Sequence, residues 1–530
     1  MTDIHGLDQR ALDRARRSRD PRFDGRFFIA VTSTGIYCRP VCPSRTCRSA
    51  NVRYYPTAAA AAEAGYRPCL RCRPEAAPGT PAWLGTSAVV HRALRLIDNG
   101  ALDESSVESL AARLGVGPRH LHRLFLRFVG ASPITVAQTR RLHFAKHLLD
   151  ETRLSITEIA LASGYGSIRR FNTVFRQVYG RSPRELRRRP SDSAAIAALA
   201  AAAIAAPAVA AIAAPAAATT ATPGAVAKPT RAGITLKLAY RPPYPWAQVA
   251  EFLATRALPG VERVDSDSYT RAVALPSGPA IVRVRPVKSE DAIELRVTGA
   301  PASALLHLVR IARRVFDLAA DPAAIAQVFR SDALLGPLVK QQPGMRVPGA
   351  WDPFECVVRA ILGQQVTVAA GRTLTSRVVM RAGRPLETPV DGLTHVFPSA
   401  ADLAAAELSG IGITGARIGA LKALSQAVLD GRVDFSAPPV EVTAALASLP
   451  GIGEWTAQYV SLRALGEPDI FMAGDLILRR MVGEDGKELA PRAAEARAER
   501  WRPWRSYAVM HLWRRAALQA AGRAAARAAA

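Results

Sequence analysis

The sequence predicts a multidomain, mainly α-helical protein in which two small α+β modules interrupt the helices. Three observations predict it. Four cysteines near the start, Cys38, Cys42, Cys69 and Cys72, are spaced C-x3-C…C-x2-C. Two helix, glycine turn, helix patterns follow between residues 106 and 176. The second half carries a Leu-Pro-Gly-Ile-Gly turn at Leu449–Gly453 between helical stretches. A chain of 530 residues is long enough for several domains. The expected segments are 1–78, 85–188, a linker at 189–231, 232–303 and 304–520.

The first segment is organised by its cysteines. Two close thiol pairs separated by a 26-residue loop suit a tetrahedral Zn2+ site of four thiolates, each pair spanning one edge of the tetrahedron. Only Cys47 and Cys356 remain besides these four, and the opening Met1–Arg17 lacks the apolar stretch of a secretory signal. A cytosolic metal site is therefore expected rather than a disulfide framework. The spacing leaves two readings open. The site is a structural zinc knuckle, or one thiolate is also a nucleophile, because a metal keeps sulfur deprotonated at neutral pH.

The run Phe27–Pro40 (FFIAVTSTGIYCRP) leads into the cluster, and Gly65–Pro74 (GYRPCLRCRP) closes it. Together they resemble the N-terminal domain of the Ada family, bacterial sensor and repair proteins for methylated DNA phosphates, over residues 5–78. The resemblance implies that Cys38 is both a zinc ligand and the acceptor of a methyl group from a methylphosphotriester. The chemistry agrees with it, since a methyl carbon on a phosphotriester is an electrophile and a metal-held thiolate needs no general base. Methylation turns a thiolate ligand into a neutral thioether. The loss of one negative charge is expected to tighten DNA binding. Nothing in the chain would remove the methyl, so the transfer is stoichiometric. The family's DNA-contact positions fall on Thr34, Arg45 and Arg67, while a further position expected to be basic carries Pro43.

The formal charge of +26 points to a polyanionic partner, nucleic acid before acidic lipid, although Arg and Ala are over-used throughout and some of that charge decorates solvated faces. The segment Ala194–Thr222 is long enough to span a bilayer and follows Arg187-Arg188-Arg189. It is mostly Ala, however, and carries Pro207 and Pro215. It reads as a semi-rigid Ala/Pro linker, and no membrane association is expected.

Between the cysteine module and the linker, Ser106–Gly117 has the periodicity of a short helix ending at Gly115, and Pro118–Phe125 forms the next. Ile156–Tyr165 and Ser167–Arg176 repeat the arrangement. A glycine turn followed by an Arg-bearing helix suits insertion of the second helix into the major groove. Two such patterns about 50 residues apart, closed by Gly180-Arg181-Ser182-Pro183, resemble the AraC-type activator domain. Arg119 and Arg123 in the first recognition helix, and Arg169, Asn172, Thr173 and Arg176 in the second, are the candidate DNA contacts. Leu121, Leu124, Phe125, Phe171, Val174 and Phe175 are core. His120 and His122 read as surface residues.

After the linker, Ile234–Leu238 alternates as a strand, Trp246–Leu258 reads as a helix, and further strands end near Leu295-Arg296-Val297. From about Ala302 the pattern is almost wholly helical, with an apolar helix at Phe354–Leu362. Leu449-Pro450-Gly451-Ile452-Gly453 between two helices is the turn of a helix-hairpin-helix. Gly451 and Gly453 allow a tight bend that presents backbone N–H groups to a phosphate. Leu408–Gly412 looks like a degenerate copy with a structural role. Asp475 lies 22 residues beyond Gly453. By itself it reads as a helix N-cap or as a functional carboxylate.

A hairpin followed at this distance by an aspartate resembles the glycosylase superfamily built on that motif. Arg241-Pro242-Pro243-Tyr244 with Trp246, Val358–Gln364 and Trp504–Ala508 resemble its AlkA family, inducible 3-methyladenine DNA glycosylases, across 232–515. The resemblance implies that Asp475 is catalytic. A buried carboxylate stabilises the oxocarbenium-like sugar and orients water, and a cationic alkylated base leaves without a general acid. Trp455, two residues after Gly453, stands where related lyases carry a Schiff-base lysine, so a monofunctional hydrolysis is implied. Trp455, Tyr459 and Trp513 match the family's aromatic base pocket, though one turn of separation also fits ordinary helical core. Gln365 occupies the wedge position that is leucine in the best-known member, and Gly474 replaces the acidic residue often found before the aspartate. No Pro-Cys-His occurs, so the guanine-oxygen dealkylation that often accompanies Ada domains is expected to be missing.

The reading is a fusion of damage sensor, transcription activator and base-excision enzyme. It acts on double-stranded DNA, with zinc as cofactor and RNA polymerase as a possible partner, in the bacterial cytoplasm. The competing reading is a regulator whose glycosylase half is only a DNA-binding platform, and a second competitor pairs a structural zinc module with an active glycosylase.

Overall fold

The computed structural model describes residues 4, 7–44, 47–77, 88–98, 100–103, 105–187, 233–483 and 487–529. Arg45 and the whole of the expected linker, with its membrane-length Ala-rich segment, lie outside the described residues. The chain forms two compact units, one of residues 1–241, 275–278 and 287–310, the other of residues 242–274, 279–286 and 311–530. Among the described residues no helix is long and apolar enough to cross a membrane.

In the first unit, β1 (Phe28–Val31), β2 (Ile36–Cys38), β3 (Val52–Tyr55) and β4 (Arg67–Pro68) form a sheet of order β3-β1-β2-β4. Only β2–β4 is parallel. β1 is buried at all four positions because it feeds two cores. Ile29 points toward Leu12 and Ala15 of helix Gln9–Ser18, whereas Phe28 and Ala30 pack with Tyr37 and Ala61 of helix Ala58–Glu63.

The two helix-turn-helix patterns are present as expected. Helices Val107–Arg113 and Pro118–Phe128 turn at Gly115, and Ile156–Ala162 and Ile168–Tyr179 turn at Gly164, both glycines at positive φ. Serines start them. Ser106, Ser155 and Ser167 each accept a backbone N–H three residues on, and Ser155 with Glu158 completes a capping box. The long helix Pro133–Glu151 threads between these pairs and also carries the cysteine module. Tyr37 OH and His143 Nε2 share a hydrogen bond of 2.8 Å. Burial pulls His143 down to about 4, so its ring is neutral. Arg73 and Lys146 both pair with Asp150, at 3.0 and 2.5 Å, and Thr57 Oγ1 donates to Val129 O at 3.1 Å.

Beyond the linker lies a five-stranded sheet of order β5-β9-β8-β7-β6, with β5 Ile234–Ala239, β6 Glu262–Val264, β7 Tyr269–Leu275, β8 Gly278–Val287 and β9 Ala292–Thr298. β5 buries Ile234, Leu236 and Leu238, the alternation read from the sequence. The helix expected over Trp246–Leu258 stops at Ala254. Leu258 precedes Pro259, which disfavours helical backbone there, and its side chain enters the helical core instead.

That core is centred on helix Pro353–Leu362, whose Phe354, Val357, Val358 and Ile361 meet Leu421, Leu424 and Val460. Across one side runs a buried ionic net. Arg271 pairs with Glu355 at 2.5 Å and Glu262 at 3.1 Å, and Arg359 bonds Glu262 at 2.6 Å. Burial opposes the charge on Glu262, yet Arg359 and Arg271 hold it down to about 2. Two arginines balance two glutamates, so no buried charge is left uncompensated. Burial also pushes the Cys356 thiol up to about 11, and His511, packed edge-on against Phe329, down to about 4.

One element departs from the helical expectation: β10 (Arg384–Val390) and β11 (Leu393–Val396) form a hairpin. Only Leu386 of β10 is buried, so no alternation marked the strand. Its turn, Asp391-Gly392 with φ of 50° and 82°, is a strong two-residue hairpin signal.

Candidate functional site

Two sites are built, one in each unit. In the first, β2 delivers Cys38 at its end, and β4 lies parallel to β2 so that Cys69 N donates to Tyr37 O at 2.9 Å. Cys42 N reaches back to Arg39 O at 3.1 Å, closing the turn of the first pair. The four sulfurs all lie within 4.8 Å of one another. Zn–S bonds of about 2.3 Å give tetrahedron edges of about 3.8 Å, so this donor set fits Zn2+. Cys69 and Cys72 are buried, whereas Cys38 and Cys42 are half-buried. Arg39 N donates to Cys72 Sγ at 3.3 Å, and the Arg39 guanidinium bonds Asp24 at 2.9 Å and Cys72 O at 3.2 Å. The cluster therefore turns one edge, Cys38 and Cys42, outward.

Arg67 N donates to Gly35 O at 2.9 Å, which sets the turn bearing half-buried Thr34 beside half-buried Arg67, at the start of the strand that ends in Cys38. In the recognition helices, Arg119, Arg123, Arg169, Thr173 and Arg176 are exposed and Asn172 is half-buried. Leu121, Phe125, Phe171 and Phe175 are fully buried, while Leu124 and Val174 are half-buried. His120 and His122 are exposed, and His120 Nδ1 lies 3.0 Å from Arg123 Nη2.

The second site is assembled around the hairpin joining helices Pro439–Ala447 and Glu454–Arg463. Gly451 has φ 77°, and a Cβ there would lie 2.8 Å from the Ala420 Cβ, so both backbone and space demand glycine. Exposed Gly453 is the N-cap of the second helix. Asp475 is 8 % exposed and heads helix Leu476–Val482. Its Oδ1 accepts Leu478 N at 2.9 Å and its Oδ2 accepts Trp455 Nε1 at 2.9 Å. The ring of Trp455 stacks on Tyr459 at 5.3 Å and 10°, and Tyr459 meets Trp513 at 6.3 Å and 45°. Trp455, Tyr459 and Trp513 are all half-buried. Gln365 is exposed with φ 56°, in the left-handed region unusual for a side chain of its size.

Sequence reasoning missed Arg463. Its Nη1 donates to Tyr459 OH at 2.8 Å, and its guanidinium lies 4.5 Å from the Phe252 ring centroid. The signal was an arginine one turn after Tyr459 on the same helix face. The degenerate turn at Leu408–Gly412 has Gly410 and Gly412 at φ 76°, and Arg377 donates to Ile411 O at 3.2 Å.

Comparison with known proteins divides the chain in the same order. The metal binding domain of Ada matches residues 11–75, a helix-turn-helix domain 110–189, the AlkA N-terminal domain 235–352, and the HhH-GPD superfamily base excision DNA repair protein 358–506. A Mycobacterium tuberculosis protein described as "probable bifunctional transcriptional activator/DNA repair enzyme AlkA" is 38% identical over 506 residues, 94% of this chain and 95% of that one. DNA-3-methyladenine glycosylase 2 of Escherichia coli is 34% identical over 52% of this chain and 95% of its own length. The bifunctional transcriptional activator/DNA repair enzyme AdaA of Bacillus subtilis is 34% identical over 32% of this chain and 77% of its own length. With thiolate cluster, paired helix-turn-helix and hairpin in one continuous match, this chain belongs to the family of bifunctional transcriptional activator/DNA repair enzymes.

Proposed function

We propose that the chain senses DNA methylation through Cys38, activates transcription through its helix-turn-helix pairs, and excises alkylated purines such as 3-methyladenine through Asp475. The excision reading is carried by the doubly held Asp475 carboxylate beside a cluster of three aromatic rings, two of them stacked. In that step the glycosidic C–N bond breaks, the base leaves with the electron pair, and Asp475 stabilises the positive sugar while water adds. The stacked rings hold a flipped, cationic base through their electron-rich faces. Gly451 and Gly453 present backbone to the phosphates, and Gln365 occupies the space the flipped nucleotide leaves.

In the sensor, zinc when bound keeps the sulfurs deprotonated. The Cys38 sulfur forms an S–CH3 bond as the methyl C–O bond of the phosphotriester breaks, and the phosphodiester leaves as the anion. Outward placement supports Cys38 over the buried pair, and the N–H bond from Arg39 makes Cys72 the poorer nucleophile. Thr34, Arg45 and Arg67 contact the backbone near the lesion. Arg119, Arg123, Arg169, Asn172, Thr173 and Arg176 read promoter DNA, where the methylated protein contacts RNA polymerase, in the cytoplasm and on the nucleoid.

Methylated duplex DNA tests both activities at once. Free methylated bases and matching abasic sites are expected in catalytic amounts, with about one methyl per chain on Cys38. Absence of base release by the native chain would leave only the regulator.

A further inference from the structure

Gln364 stands between the buried helix Pro353–Leu362 and the exposed Gln365, and it is tied in two directions. Its Nε2 donates to Gly451 O at 2.9 Å and to Thr456 Oγ1 at 3.1 Å. Its backbone carbonyl accepts the Arg417 guanidinium at 2.5 Å. Thr456 is buried on the second hairpin helix, and Arg417 lies in the first turn of helix Gly415–Leu429. Three pieces of chain, the hairpin turn, the Gln365 loop and that helix start, therefore meet on one residue.

The next residue makes this junction informative. Gln365 holds φ 56° without being glycine, a conformation that persists only when its surroundings enforce it. The nearest enforcing contacts are those of Gln364. We infer that Gln364 is a positioning residue that locks the Gln365 loop to the hairpin, so that gripping the phosphate at Gly451–Gly453 also fixes the side chain that fills the gap left by the flipped nucleotide. This inference rests on the excision reading above.

The lock matters most where flipping is costly. A lesion in a stable base pair needs the plug held in place, whereas a lesion in a mismatch is already partly unstacked. Gln364→Met keeps length and removes the amide. With the full-length protein under single turnover, 7-methylguanine paired with cytosine should be released about tenfold or more slowly by this variant. The same base opposite thymine should be released within about threefold of the native rate. Arg417→Met, which cuts the second tie, should shift the ratio the same way. Equal loss on both duplexes, or no loss on either, overturns the inference. A 2-aminopurine beside the lesion reads flipping without any base release. A smaller fluorescence rise in Gln364→Met supports the lock, and an unchanged rise refutes it even if the native chain proves unable to excise.

Discussion

The indole N–H of Trp455 donates to Oδ2 of Asp475 at 2.9 Å, while Oδ1 of the same carboxylate accepts the Leu478 amide at 2.9 Å. The carboxylate is thus held by the hairpin helix from one side and by the helix it caps from the other. Neither oxygen can rotate away without breaking a bond, which is the preorganisation that charge stabilisation requires.

Asp475→Asn should separate the two roles. Asparagine is as good an N-cap as aspartate, so the helix start should survive, and the unit should stay folded with a stability loss of no more than about 1–3 kcal/mol from the broken Trp455 bond. Its amide nitrogen brings a donor toward the Trp455 N–H and removes the charge. Release of 3-methyladenine should fall about 100- to 1000-fold, equivalent to about 3–4 kcal/mol. A near-normal rate would exclude the carboxylate from the chemistry.

Trp455→Phe keeps an aromatic face and deletes the donor to Asp475. Hydrogen bonds to charged groups contribute about 1.5–3 kcal/mol, so base release should drop by about tenfold or more. Duplex affinity, measured by anisotropy, should hold. If affinity falls and the rate does not, the ring matters and the hydrogen bond does not.

Cys38→Ser should accept no labelled methyl from methylphosphotriester DNA, and base release should persist. Cys42→Ser should lose the metal and the fold of its module. Methyl transfer to the Cys38→Ser protein, or uptake well beyond one methyl per chain, would contradict the assignment.

Metal removal gives a separate check. Chelation leaves Cys69 and Cys72 as buried sulfurs with no ion to share, so the cysteine module should melt and lose methyl uptake. Re-addition of Zn2+ should restore both. Affinity should weaken as pH falls, because protons compete for the thiolates. A module that keeps its fold and uptake without metal would refute this.

His511 predicts an acid sensitivity in the other unit. Burial lowers it from the usual 6.5 to about 4, so the unfolded chain binds more protons between those values. Its contribution to stability is complete above about 6.5 and declines as pH falls toward 4, by at most about 1.4 kcal/mol per pH unit. Thermal melts of His511→Phe should show a shallower decline over that window than the native protein.

What was legible in the sequence were patterns that local chemistry enforces. Cysteine spacing announced the thiolate cluster, serine caps and glycine turns announced the paired helices, and alternation announced β5. Asp475 was open between cap and functional carboxylate, and the geometry gives it the cap together with a bond to Trp455, because its two oxygens serve different partners. The bonds of Gln364 to the hairpin, and those of Arg463 to Pro348 and Gly349, were not legible. They depend on loops more than 80 residues away, at Gly451 and at Pro348–Gly349. β10 escaped because six of its seven residues are solvent-facing or partly so, leaving its turn as the only cue.

The outward edge of the thiolate cluster has a consequence for the cell as a whole. On the proposed reading, a sulfur that accepts one methyl and keeps it is a counter that advances once per molecule, and thioether formation includes no step that resets it. The record fades only as growth dilutes the marked copies or proteolysis removes them. On the same proposal each marked copy still carries the excision site at Asp475, which is not consumed. Memory of past damage and capacity to clear present damage therefore rise together with every newly made chain, but only the first is used up.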